Sequence, residues 1–178
     1  MNNMRLKFLI PFCLVCVLLS CKDSKETAPE NLEVEAVKLS QIITEADIAK
    51  LNYIDFGLDS KAGKIIEDWG EYIQLQQIVL GVKKANFTEL KDNRKILKSL
   101  LLDFKKNIPA SLKSSSILAR VMVFETKFFK LESLVNLSNI SKLELAGTIK
   151  EVFEAFSNLN FQINKKLERD SQNIERPI

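Results

Sequence analysis

Histidine is absent from the 178 residues. Its absence excludes Ser-His-Asp and Cys-His catalysis, histidine-ligated zinc, copper or haem, and the Glu-x-x-His di-iron site of helical bundles. Cysteine is scarce and confined to the front, at Cys13, Cys16 and Cys21. Past Cys21 the chain has no thiol for a disulfide or a thiolate metal site. Met122 is the only methionine after Met4, which rules out a thioether copper site. A Gly-rich phosphate loop, a Walker motif and a Gly-x-Ser-x-Gly elbow are all missing. The carboxylate pairs spaced three apart, Asp68 with Glu71 and Glu151 with Glu154, lack the apolar setting that lifts a pKa for acid–base work. Neither an enzyme nor a cofactor is expected. A run long enough to cross a bilayer is lacking too. Phe8 to Leu19 is uncharged for twelve residues, about 18 Å as a helix against a hydrocarbon core of about 30 Å, and Pro11 interrupts it.

What precedes that run is Met1 to Lys7, with Arg5 and Lys7 and no acid. A basic start, a short apolar core and the small Ser20 ahead of Cys21 make a secretory signal rather than a membrane span. The residues Leu18-Leu19-Ser20-Cys21 resemble the lipobox of bacterial lipoproteins, departing from it at Leu19, where a smaller residue is commoner. The resemblance implies that residues 1–20 are removed and that the Cys21 sulfur carries a thioether-linked diacylglyceryl group, with further acylation of the new amino terminus by a fatty acid such as palmitate. A single acyl chain binds a bilayer only reversibly, whereas two or three hold stably. The same resemblance implies an exported protein of the cell envelope, lipid-anchored at the outer membrane on its periplasmic or surface face.

Residues 21–178 number 158, enough for one domain with a sizeable core, and hold 24 cations against 23 acids. That balance argues against a nucleic-acid binder. Lys22 to Glu35 is polar and rich in glutamate, with Pro29 inside it. Such a stretch buries too little apolar surface to fold; as a flexible coil it averages about 20 Å end to end. Residues 21–35 are therefore expected to be the lipidated cysteine and a disordered tether, and residues 36–178 a helical domain.

Within that domain Thr44-Glu45-Ala46-Asp47 offers a short helix start, and Ile54, Phe56 and Leu58 alternate with Asp55 and Gly57 as a half-buried extended lead-in would. Asp59 or Ser60 caps a first long helix expected to run to about Lys84, with Ala62, Ile66, Trp69, Tyr72 and Val79 in its stripe. Gly70 inside it suggests close packing against a neighbour. Asn86-Phe87-Thr88-Glu89 reads as the cap of a second helix, ended by Pro109. A third follows Ser114 to Ser116 with Ile117, Val121, Phe124, Phe128, Leu131 and Val135 on one seam. Ser141-Lys142-Leu143-Glu144 opens a fourth as a capping box. Four such segments predict an all-α, antiparallel four-helix bundle.

Three sets of residues stand out as candidate sites. Lys91, Lys95 and Lys98 fall at i, i+4 and i+7, one helix face, and suit an acidic partner or anionic headgroups; the ordinary reading is a solvated face. Arg120 is the only charge in Ile117 to Phe124. It suits a ligand carboxylate held between helices, or an acid on a neighbouring helix. Phe124 and Phe128 suit an apolar cavity or plain core. The function expected is a non-enzymatic interaction or scaffold module, tethered to the membrane through the acyl groups on Cys21, with an envelope protein as its partner. The alternative is a small-molecule binder for an apolar or anionic ligand, lined by Arg120, Phe124 and Phe128.

Overall fold

In a computed structural model of the chain, residues 42–172 are described; the expected signal, Cys21, the tether and the tail Arg176 to Ile178 lie outside them. The described residues are all-helical, with no strand among them. They form α1 (Glu45–Ile48), α2 (Ser60–Ile66), α3 (Gly70–Lys83), α4 (Arg94–Lys106), α5 (Ser115–Val135) and α6 (Lys142–Ser171), plus short 3₁₀ turns at Thr88–Leu90 and Ala110–Leu112.

The two longest helices start where short polar side chains stand in for a missing helical acceptor. Ser114 Oγ accepts from the Ile117 amide at 3.4 Å, and Ser141 Oγ accepts from the Glu144 amide at 3.2 Å. Ile117, Val121, Phe124, Phe128, Leu131 and Val135 are all buried along α5, as are Leu145, Ile149, Val152, Phe156, Leu159, Ile163 and Leu167 along α6. Steps of three and four keep each set on one face. The two helices are paired, with Lys130 and Lys127 of α5 at 2.9 and 3.3 Å from Glu151 of α6. The lysine bonds, that from Lys130 foremost, hold the Glu151 carboxyl below its usual pKa.

The expected first long helix is interrupted. α2 stops at Ile66 and α3 begins at Gly70, with Trp69 between them at φ −109, ψ 76. The reason is the indole: Trp69 is fully buried and stacks on Phe104 of α4, ring centroids 4.5 Å apart and planes 13° apart. Gly70 does not mark close packing, since a Cβ built there meets nothing within 4 Å. The second helix also starts later than expected. Asn86 Oδ1 accepts only from the Thr88 amide, at 3.0 Å, and Phe87 and Leu90 turn into the core. Asp92 takes a left-handed φ of 51 before α4 begins at Arg94, a conformation that aspartate tolerates better than most residues. Its amide donates to Asn136 Oδ1 at 3.2 Å.

Thr44 and Asp47 form the expected cap of α1, a reciprocal capping box. Bonds from Lys142 and Thr44 hold the Asp47 carboxyl well below the usual carboxylate range. From α1 the chain continues as a non-helical strap, residues 51–59, along α6. Three short polar side chains of α6 grip its backbone. Ser157 Oγ accepts from the Phe56 amide at 2.7 Å and donates to the Ile54 carbonyl at 2.6 Å. Asn160 Nδ2 donates to the Phe56 carbonyl at 3.0 Å. Asn164 Nδ2 donates to the Gly57 carbonyl at 2.8 Å, and its Oδ1 accepts from the Asp59 amide at 3.1 Å. Asn160 also accepts from the buried Tyr72 hydroxyl at 2.8 Å, so one amide ties strap, α3 and α6 together.

Removing that amide strands two groups, each costing about 1–3 kcal/mol when left unpaired away from water. Asn160→Ala is expected to lower unfolding free energy by about 2–4 kcal/mol, and the exposed Asn164→Ala by about 1 kcal/mol or less. Urea titration checks both; equal losses would contradict the bridging role.

Candidate functional site

The three lysines singled out by spacing do not share a helix face. Lys95 and Lys98 are exposed on α4, but Lys91 lies ahead of that helix, in extended conformation after the Thr88–Leu90 turn, and is 5% exposed. Helical spacing places residues on one face only where the helix exists, and here it begins at Arg94. Two cations of α4 are engaged across the interface with α5: Lys105 reaches Glu125 at 2.8 Å and Arg94 pairs with Glu132. Glu132 is 3% exposed. It also accepts from Asn136 Nδ2 at 3.3 Å, so the buried carboxylate has two donors. The sequence signal for it was faint, an acid at a position flanking an apolar seam.

Arg120 is exposed on α5 and makes no ion pair among the described residues. It is exposed where Phe124 and Phe128 are buried. Phe124 and Phe128 are 0% and 1% exposed, with centroids 5.4 Å apart. Phe124 also contacts Phe156 at 5.3 Å and the edge of Phe104 at 6.4 Å. These rings fill space rather than line it. Open grooves exist elsewhere. One of about 510 Å³ runs between α3 and α4 beside Ile73, Gln77, Ile96 and Leu100. Another, of about 420 Å³, lies along the strap beside Asp55, Lys83 and Asn160. Neither has Arg120, Phe124 or Phe128 in its wall.

Near the second groove Lys83, Tyr53 and Tyr72 are all shifted upward in pKa. Lys83 donates to Asp55 at 2.6 Å and lies 5.7 Å from the centre of the Phe153 ring. Burial works against its charge, but the bonds to Asp55 and Tyr53 prevail and raise its pKa. It stays an ammonium and offers no free amine pair for nucleophilic attack. Burial raises the pKa of Tyr53, and raises that of Tyr72 beyond the usual phenol range. No group of histidine, cysteine and carboxylate side chains that suits a metal ion occurs among the described residues. No helix among them is long and apolar enough to cross a membrane.

No protein-family model matches the chain, and no curated protein or solved structure matches it.

The Arg94–Glu132 pair joins a partly exposed guanidinium to a buried carboxylate. Breaking a fully buried pair costs about 3–5 kcal/mol, and solvent at the arginine reduces this. Arg94→Ala is expected to cost about 1–2 kcal/mol and Lys95→Ala nearly nothing, measured by urea unfolding at pH 7. A neutral Arg94→Ala would show that Glu132 needs no cation.

Proposed function

We propose that this protein is a lipid-anchored module of a bacterial cell envelope. In this reading Cys21 carries the acyl groups, residues 22–35 act as a tether, and the helical domain works through its surface as a non-enzymatic interaction or scaffold unit. The observation that carries the anchoring is the sequence Leu18-Leu19-Ser20-Cys21 behind a short apolar run. What supports a surface role is the packing of the candidate ligand residues: Phe124 and Phe128 are buried against other rings, and Arg120 stands outside. Neither groove described above has those three in its wall.

For the architecture, we infer that α3 to α6 form the antiparallel four-helix bundle. Supporting this is a closed circuit of pairings. Asn107, just after α4, donates to Glu71 at the start of α3. α4 pairs with α5 through Arg94–Glu132 and Lys105–Glu125, and α5 with α6 through Glu151. Tyr72 of α3 returns to Asn160 of α6. Between α4 and α5 the partners advance along one helix, from Arg94 to Lys105, as they retreat along the other, from Glu132 to Glu125, as antiparallel neighbours require.

Growth with labelled palmitate tests the anchoring. The wild-type chain is expected to incorporate label and to float with membranes, and Cys21→Ser to incorporate none. A wild-type protein that carries no fatty acid would overturn the reading.

A further inference from the structure

The outward face of α5 presents several apolar side chains to water. Leu118, Met122 and Val123 are 42%, 54% and 45% exposed, with Ala119 and Thr126 exposed between them. These positions lie opposite the buried seam of Ile117, Val121, Phe124 and Phe128, so the core does not use them. Thr126 turns its hydroxyl back to the Met122 carbonyl at 2.9 Å, which removes the donor from that face. On α4, Lys98, Leu102 and Lys105 stand at i, i+4 and i+7. The bond of Lys105 to Glu125 turns that row toward α5, and Leu102 is 52% exposed. Leu102 thus adds an exposed apolar side chain on the neighbouring helix.

Its rim is cationic. Arg120 is exposed and unpaired among the described residues, and Lys98 is exposed beside Leu102. On the α6 side Lys127 and Lys130 share the single acid Glu151. Glu125 is already matched by Lys105. With five cations (Lys98, Lys105, Arg120, Lys127 and Lys130) against these two acids, the rim keeps a net positive charge.

We propose that this face rests on an anionic lipid surface, its leucines, Met122 and Val123 among the upper acyl chains and its cations at the headgroups. This rests on the membrane-tethered reading for its setting. Charge complementarity selects an anionic partner, and the exposed helix face has the amphipathic form that beds into a bilayer interface. The exposed position of Arg120 then has a use: one turn from Val123, it meets headgroup phosphate as the apolar side chains insert. A basic residue at such a surface contributes about fivefold in affinity.

The test uses the full chain with Cys13, Cys16 and Cys21 changed to serine, so that an introduced cysteine is the only thiol. An environment-sensitive fluorophore is placed on Met122→Cys or, as a control on α3, on Leu80→Cys. Vesicles are phosphatidylcholine alone or with one part in three phosphatidylglycerol. The label reports which face meets lipid, whatever segment brings the chain to the vesicle. With anionic vesicles the emission at 122 is expected to shift to the blue, and that at 80 to stay aqueous. Adding Arg120→Glu and Lys98→Glu is expected to raise the lipid needed for half the shift at least tenfold. Both lie on the surface, and circular dichroism verifies that the variants keep their fold. An aqueous label at 122, an equal shift at 80, or equal response to neutral vesicles would overturn the proposal, as would a shift produced only by a soluble acidic protein. Because this protein cannot be acylated at residue 21, the result is independent of the palmitate experiment, and either reading can fail alone.

Discussion

Six aromatic rings hold the helices of this domain to one another. Trp69 stacks on Phe104 and leans on Tyr72; Tyr72 meets Phe156; and Phe124 touches Phe104, Phe128 and Phe156. The rings come from the start of α3, from α4, from α5 and from α6, so every long helix gives at least one. Such pairs add about 0.5–1.5 kcal/mol each beyond the area they bury. In a domain whose net stability is of order 5–15 kcal/mol, the network decides where the helices sit. It also explains the break before Gly70, because a continuous helix there would not deliver Trp69 onto Phe104. The placement has a cost: Trp69 Nε1 is buried with no hydrogen-bond acceptor among the described residues.

Around that centre, polar side chains do what apolar ones cannot. The strap of residues 51–59 has no helical ladder of its own, and its partly buried backbone groups need partners. Ser157, Asn160 and Asn164 supply them from α6, while Tyr53 and Phe56 set their rings against Phe153 and Phe161. Directional bonds fix the register of the strap, and ring contacts add apolar burial. The rings fill the interior, and the grooves lie at the domain's outer faces. Helix α5 shows two opposite surfaces, one buried and apolar apart from Glu132, the other open, with Leu118, Met122 and Val123 exposed.

Much of this was legible in the sequence, and the exceptions share a cause. Ser114, Ser141, Thr44 and Asp59 cap helices because a short oxygen-bearing side chain next to an apolar period has few other uses. The seams of α5 and α6 followed from steps of three and four. What periodicity misses is a local preference overruled by distant packing. Trp69 and Tyr72 fitted a continuous helix; only Phe104, thirty-five residues on, ends it. Lys91 looked like a partner of Lys95 because the spacing presumes a helix that starts at Arg94 instead. Arg120 was placed in the seam by its apolar neighbours, although those neighbours cover both faces of α5. The ladder at 157, 160 and 164 did leave a signal, three short polar residues at i, i+3 and i+7 interleaved with the seam of α6. Its meaning depended on a strap whose path along the helix was not readable.

The dependence of the whole domain on its ring network is open to one direct measurement. Trp69 is the only tryptophan in the chain and sits in that network, so its fluorescence reports the core during urea unfolding. Phe124→Ala deletes the ring with the most aromatic contacts, and truncating a buried phenylalanine costs about 3–5 kcal/mol. A loss of that size, with a single transition seen alike by tryptophan emission and by helical signal, is the expected result. A loss below about 1 kcal/mol, or loss of the tryptophan signal while the helices persist, would contradict the account.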